Sequence, residues 1–268
     1  MSFQKLHGAG NDFVLLARPL PGVHRDWPAT ARRLCARRTG IGADGLVLTA
    51  VKSTDPLVLD VACFNADGSV ASMCGNALRC VAWSAAETYN CRTLALVMAG
   101  VKHEALVDGD DVWVTAEVGE TALRQVEGVI DGQTFWYDLA HTGTEHVVAI
   151  VKDVDAIDAD RCGRMMRHHP QLAPTGTNVN FAQVTGRHEL RVRTYERGVE
   201  AETLSCGSGA VASVVIARQR GLIGDEQVTV HNRSGTPLKV RPHAENRSIF
   251  WVGGPVTQVY RGELTCCP

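Results

Sequence analysis

The sequence predicts an α+β fold of mixed sheets wrapped around one or two helices, and three observations carry that expectation. Short β-like runs punctuated by Gly, Asp and Asn turns dominate the chain. Helical patterns are few and clear, and they do not alternate one-for-one with the strands as a βαβ chain requires. Finally, one stretch recurs. NADGSVASMCGNALRCVAW (65–83) lies over RGVEAETLSCGSGAVASVV (197–215) so that Cys-Gly falls on Cys-Gly, followed each time by a small polar residue and an apolar helix.

In chain order, FQKLH and DFVLLAR read as strands flanking the HGAGNDF turn, and ATARRLCARR reads as a helix. GLVLTAV, LVLDVACFN, LALVMA, HEALVDG and DVWVTAEV follow as strands, with the helix NALRCVAWSAAETY between the second and third. TFWYDLA and HVVAIV precede DAIDADRCGRMMRHH, an acidic-to-basic run of the kind that complements a helix dipole. His168-His169 before Pro170 marks its end. NVNFAQV and ELRVRTYE lead to the helix GAVASVVIARQR, and QVTVHN, PLKVRP and SIFWVGG close the pattern.

At 268 residues, 45% hydrophobic and 21% charged, the chain suits one large core or two ordinary domains. A net charge of -2 without a sustained Lys/Arg run argues against nucleic-acid binding. The densest basic stretch, RRLCARR (32–38), reads as the solvated face of a helix. MSFQKLHGAGNDF has no long apolar region and no stretch approaches the ~18 apolar residues of a membrane span. A soluble cytoplasmic protein without a membrane partner is expected. The nine cysteines (35, 63, 74, 80, 91, 162, 206, 266, 267) include no CxxC pair and no zinc-ligand spacing, so thiols and no metal site are expected. The adjacent Cys266 and Cys267 are the one pair in which adventitious metal binding or oxidation is conceivable.

GIGADG (40–45) matches a dinucleotide-binding fingerprint in letters but not in context, since a helix pattern precedes it and a strand pattern follows. It reads as a tight turn near a site. HGAGNDF places Asn11 after two glycines, where a turn can present an amide that both donates and accepts.

Cys74 and Cys206 each stand before a helix, whose first N–H groups are unpaired and carry the positive end of the dipole. A thiol there ionises more easily. Two equivalent thiols suit one particular chemistry: inverting a stereocentre needs a base on one face of a carbon and an acid on the other, with the roles exchanged in reverse. The carbanion from an amino acid also needs donors aimed at its carboxylate, which two helix N-termini supply.

HGAGNDFV, RRTGIGADG, FNADGSVASMCGNALRC, YERG and CGSGA together resemble, in order and from residue 3 to about 215, the motifs of the diaminopimelate epimerase family. The resemblance implies two similar domains, each a mixed sheet wound around a central helix, with the active site in the cleft between them. Its halves would be residues 1–116 with a returning strand at 253–268, and 117–252. It implies a cofactor-independent isomerase with Cys74 and Cys206 as the acid/base pair. The amides of Gly75, Asn76, Gly207 and Ser208 would hold the reacting carboxylate, and Asn11 the amino-acid head. Asn65, Asn178, Glu196 and Arg197 would bind the far end. The sequence leaves open whether the chain forms a homodimer.

Two departures touch that far end. Gly143-Thr144-Glu145-His146 stands where the family has Gly-Asn-Pro-His, and the run from YERG to the second cysteine is one residue longer. Thr144 and Glu145 therefore join the expected substrate-binding residues. The expected substrate is LL-diaminopimelate, converted to the meso form. The alternatives are a basic amino acid such as 2,4-diaminobutyrate, ornithine, lysine or histidine, a phenazine-biosynthesis-type isomerization on the same fold, and a binding module without turnover.

Overall fold

A computed structural model describes residues 1–17, 26–130 and 133–264. Cys266 and Cys267 lie outside the described residues. The chain divides into two compact units, one holding residues 1–114 and the C-terminal segment from 254, the other residues 115–253.

In the first unit, β1 (Ser2–Gly8) and β2 (Asn11–Ala17) form an antiparallel hairpin in which Gly8 faces Asn11. Its two turn residues, Ala9 and Gly10, have φ of 52° and 86°. Positive φ at both positions is what a two-residue turn needs to match strand twist, and it projects Asn11 from the start of β2. Helix α1 (Trp27–Cys35) is capped by Asp26, which accepts from the Ala29 N–H. It stops before the three residues that the sequence pattern adds to it, because Ala36 turns extended and Arg37 reaches away to two carboxylates.

The path continues through β3 (Gly45–Thr54), β4 (Leu57–Asn65), the short β5 (Val70–Ala71), α2 (Gly75–Tyr89), β6 (Thr93–Met98), β7 (Val101–Asp108) and β8 (Asp111–Glu117). β2 pairs parallel with β3, β3 antiparallel with β4, and β4 parallel with β6, each parallel step crossing over through a helix. β6, β7 and β8 then form a meander. α2 packs against β1, β2, β4, β6 and β7, and from Gly75 to Ala86 nearly every residue is buried. It is the central helix of this unit. The smaller α1 instead covers an outer cluster of Val14, Leu16, Leu34, Leu46 and Leu48.

The second unit contains β9 (Thr121–Ile130), β10 (Gln133–His141), β11 (Glu145–Ile150), α3 (Ala159–Arg167), β12 (Asn178–Gly186), β13 (Glu189–Glu196), β14 (Ala201–Thr203), α4 (Gly207–Gln219), β15 (Val228–His231), β16 (Leu238–Pro242) and the start of β17 (Ile249–Glu263). Residues 256–263 of β17 pair with β1 in the first unit's sheet. Here β10–β11 is antiparallel, β11–β12 parallel, β12–β13 antiparallel, β13–β15 parallel, and β15–β16–β17 a meander. That is the order of the first unit again, with α3 in the place of α1 and α4 in the place of α2. The repeat seen in the sequence is a repeat of topology.

Two further elements differ from the sequence pattern. α3 begins at Ala159, after the DAID of the acidic run, because Asp158 caps it by accepting from the Arg161 N–H. β9 has no clean alternation, since Leu123 and Val129 are exposed and Arg124 has φ of 52°. Pairing with β10 and the burial of Val126 against Tyr137 and Met166 make it a strand.

Candidate active site

Cys74 is the N-cap residue of α2, half-buried and in extended conformation. Behind it, Cys63 on β4 hydrogen-bonds to the Cys74 sulfur. That bond first, and burial second, push the Cys63 thiol well above its ordinary range. Cys63 therefore stays protonated and is the S–H donor of the pair.

A chain of amides runs from the first turn of α2 to the β1–β2 hairpin. Arg79 Nη2 donates to Asn76 Oδ1 at 2.8 Å, Asn76 Nδ2 to Asn11 Oδ1 at 3.2 Å, and Asn11 Nδ2 to Asp44 Oδ2 at 2.8 Å. An arginine has only donors, so it fixes which end of the Asn76 amide faces it and, through Asn76, the orientation of Asn11. Asp44 is held by Arg37 at 2.6 Å, and Arg37 also grips Asp12 at 2.9 Å. Lys5 reaches Asp12 at 2.7 Å and the Gly42 carbonyl. GIGADG is thus a turn that delivers Asp44 to this network.

Burial opposes ionisation of Asp12, but Arg37 and Lys5 outweigh it and hold its pKa near about 2, below 3.8. A depressed carboxylate stabilises the fold above its unfolded pKa, and this contribution is lost as pH falls from about 4 towards 2.

Arg79 is fully buried, and its Nε and Nη1 have no hydrogen-bond partner among the described residues. Burial lowers its pKa to about 10, so it stays charged at neutral pH. An uncompensated buried cation is costly to the fold. Arg79→Met is therefore expected to leave Tm unchanged or raised while kcat/KM falls by ~10-fold or more, as Asn76 and Asn11 lose their fixed orientation. Arg79→Lys should recover part of that loss. Parallel falls in Tm and activity would show instead that Arg79 serves only the fold.

In the second unit Cys206 is likewise the N-cap of its central helix, and its sulfur accepts from the Gly209 N–H at 3.4 Å. A Cβ on Gly209 would fall on Asn180 Oδ1, so only glycine lets α4 start this close to β12 and β13. Thr194 Oγ1 donates to Asn180 Oδ1 at 3.0 Å, which turns the Asn180 amide so that Nδ2 faces Val147 O and His146 Nδ1, each at 3.0 Å. His146 Nδ1 is then the acceptor and Nε2 carries the hydrogen, 3.0 Å from Ser208 Oγ. Burial first, with Arg197 and His141 adding, pushes His146 down to about 3, so the ring is neutral. Ser208 Oγ accepts from the ring and keeps its own hydrogen for Cys206 Sγ, 3.4 Å away. Each cysteine therefore has a neutral donor beside it, Cys63 in one unit and Ser208 in the other.

The far-end residues also gather in the second unit. Asn178 donates to the Glu145 carbonyl at 3.0 Å and accepts from the Arg197 N–H at 2.9 Å, tying the two loops together. Arg197 Nη1 pairs with Glu145 Oε2 at 2.8 Å and Nη2 donates to Thr144 Oγ1 at 2.8 Å. Glu196 accepts from the Thr203 hydroxyl. Asn65, in the first unit, donates to Ser69 Oγ at 2.9 Å within the NADG turn. Gly75 and Gly207 open their helices, and Asn76 and Ser208 follow them, where main-chain N–H groups have no partner four residues back. A cavity of about 890 Å³ in the first unit is lined by Phe3, Leu15, Val81 and Tyr89, and by none of these residues.

Asp12, Lys5, Asp44, Cys63, Arg79, Asn180 and His146 were not singled out as site residues from the sequence. Asp12, Asp44, Arg79 and His146 lie within the quoted motifs, and a mid-strand Asn180 in an apolar run is a further available signal.

The family described as diaminopimelate epimerase matches residues 3–123 and 139–258. The chain belongs to this family. The diaminopimelate epimerase of Aquifex aeolicus is 36% identical over 277 residues, covering 99% of this chain and 98% of that one. That of Chlorobaculum tepidum is 34% identical, covering 97% and 100%. Among solved structures, a hydroxyproline epimerase from Agrobacterium vitis has a TM-score of 0.71 at 15% identity, covering 98% of this chain and 91% of that chain. A phenazine-biosynthesis protein of Enterococcus faecalis reaches 0.69 at 12% identity, covering 99% of each. Diaminopimelate epimerase membership makes this protein an isomerase of the racemase and epimerase class, with the α+β, two-domain fold expected from its sequence. Among the described residues, no helix is long and apolar enough to cross a membrane.

Proposed function

We propose that the protein converts LL-diaminopimelate to meso-diaminopimelate without a cofactor, one of Cys74 and Cys206 removing the α-proton as a thiolate and the other delivering its own thiol proton to the opposite face. One observation supports the reading beyond family membership: the same strand order, twice, carries within it a half-buried cysteine capping a buried central helix. An α-carbon inverted by losing its proton on one face and gaining another on the opposite face must be met by a thiolate on one side and a thiol on the other. Ser208 O–H and Cys63 S–H each stabilise a thiolate beside them. The first-turn amides of Gly75, Asn76, Gly207 and Ser208 supply donors for the reacting carboxylate as charge builds on it. Asn11, oriented by Asn76, holds the amino-acid head. Asn65, Asn178, Thr144, Glu145, Glu196 and Arg197 serve the distal end, with Arg197 taking the distal carboxylate.

The phenazine-type isomerization is disfavoured by the two intact Cys-Gly helix starts. The Glu145 carboxylate beside Arg197 favours a second reading, a substrate ending in a cation. Comparing kcat/KM for LL-diaminopimelate with 2,4-diaminobutyrate, ornithine, lysine and histidine separates the two. A preference of ~100-fold or more for diaminopimelate, about 2.7 kcal/mol, supports the first, and a preference for any basic amino acid overturns it. We propose a cytoplasmic enzyme, in keeping with a biosynthetic role, and sedimentation tests whether it is a homodimer.

A further inference from the structure

The Asn11 amide could be reversed by a half-turn at little steric cost, because its oxygen and nitrogen are nearly the same size. The two ends offer a ligand opposite things: the carbonyl accepts from an ammonium, and the NH2 donates to a carboxylate. Recognising an amino-acid head therefore needs Asn11 held one way round. At its oxygen end, Asn76 Nδ2 donates across 3.2 Å, a long bond between two neutral groups. At its nitrogen end, Asn11 donates to Asp44 Oδ2 at 2.8 Å. A carboxylate paired with an arginine accepts and does not donate, so Asp44 tolerates only the nitrogen.

Asp44 is itself firmly placed. Arg37 Nη2 holds Oδ1 at 2.6 Å, and the Asp12 N–H donates to Oδ2 at 3.1 Å. In return the Asp44 N–H donates to Asp12 Oδ1 at 2.9 Å. The Asp44 carbonyl accepts from the Ala66 N–H at 3.0 Å, which ties it to the NADG turn beside Asn65. Asp44 thus joins three turns that lie apart in the sequence, HGAGND, GIGADG and NADG. Its side chain is 42% exposed, and contacts at such exposure add little to the fold.

We infer that Asp44 is a positioning residue for the reaction: its carboxylate locks the Asn11 amide with nitrogen towards Asp44 and oxygen towards Asn76, so that Asn11 meets the amino-acid head in one orientation. This rests on the reading in which Asn11 holds that head, and adds to it a residue that acts through another. The chain of amides then ends on a side chain that only donates, Arg79, and on one that only accepts, Asp44. Reversing either asparagine between them breaks a bond on both of its sides.

Asp44→Asn keeps the shape, and an amide there can donate or accept, so the lock opens while the turn remains. kcat, KM and Tm are measured with LL-diaminopimelate for the unaltered enzyme, Asp44→Asn, Asn11→Ala and the double variant. Expected for Asp44→Asn is a ~10-fold fall in kcat/KM, the scale of one hydrogen bond to a charged group, with little change in Tm. In the Asn11→Ala background the same substitution should cost ~2-fold or less, because the amide that it orients is gone. An equal cost in both backgrounds would make Asp44 a support of the turns, and no cost in either would leave the orientation to Asn76 alone. Either result overturns the inference. A loss of stability common to both backgrounds cancels in this comparison. If the unaltered enzyme is active and Asn11→Ala costs nothing, Asn11 does not hold the head, and the lock falls with that placement. An unaltered enzyme that does not turn over LL-diaminopimelate sinks the functional reading itself, and the lock with it.

Discussion

Cys74→Ala and Cys206→Ala variants should each lose diaminopimelate epimerisation by ~10³-fold or more, within the range that general acid–base groups contribute. In the proposed mechanism each thiol is the sole proton carrier for its face of the α-carbon, so the remaining cysteine can remove or deliver a proton but cannot complete an inversion. Serine should be nearly as damaging at either position, since a hydroxyl is far too weak an acid to exchange protons near neutral pH. The two-thiol mechanism also predicts an isotope pattern. In deuterated buffer, early product carries deuterium at the α-carbon while recovered substrate does not, because the proton gained comes from the opposite thiol. Near-normal turnover by either alanine variant, or rapid labelling of recovered substrate at the same rate as product, would sink the assignment.

Acid should weaken the second unit through His146. The ring is buried and its pKa is about 3 in the fold against 6.5 unfolded. Below 6.5 the unfolded chain takes up a proton that the folded chain refuses, so stability is full above 6.5 and is lost as pH falls towards 3. The loss is about 1.4 kcal/mol per pH unit in that window, hence about 2 kcal/mol at pH 5. Calorimetric unfolding at pH 5 in buffers of different ionisation enthalpy measures proton uptake directly. His146→Gln should reduce that uptake by about one proton and flatten the fall in stability between pH 6.5 and 5. An unchanged uptake would mean that His146 is charged in the fold, and would break the tautomer chain from Asn180 to Ser208 and Cys206.

The determinants of this protein's structure divide along a physical line. Local sequence was sufficient wherever the determinant is local. The Gly-Ser-Gly and Gly-Asn runs after Cys206 and Cys74 announce helix starts with small residues, and their recurrence announced two related halves. HGAGND reports a two-residue hairpin turn because positive φ must be accommodated within those residues. β9 was invisible because its alternation is broken and its strand character comes from β10. The three extra residues expected of α1 were lost because Arg37 finds Asp12 and Asp44, partners that lie 25 and 7 residues away.

At the site, sequence alone singled out the residues proposed to carry the chemistry: two cysteines at helix N-termini, turn asparagines, and an acidic-basic pair. Tertiary structure decided their states and partners. That His146 is neutral and donates through Nε2 follows from burial and from the turn of one Asn180 amide, which is set in turn by Thr194. That Asn76 and Asn11 face as they do follows from Arg79, a cation whose burial no pattern within its own apolar helix reveals. That Arg197 is bound by Glu145 follows from β13 and the β10–β11 loop being brought together across 52 residues. Residue type and helix position are written in short spans of chain, whereas protonation, amide orientation and ion pairing depend on dielectric and on neighbours that only the fold supplies.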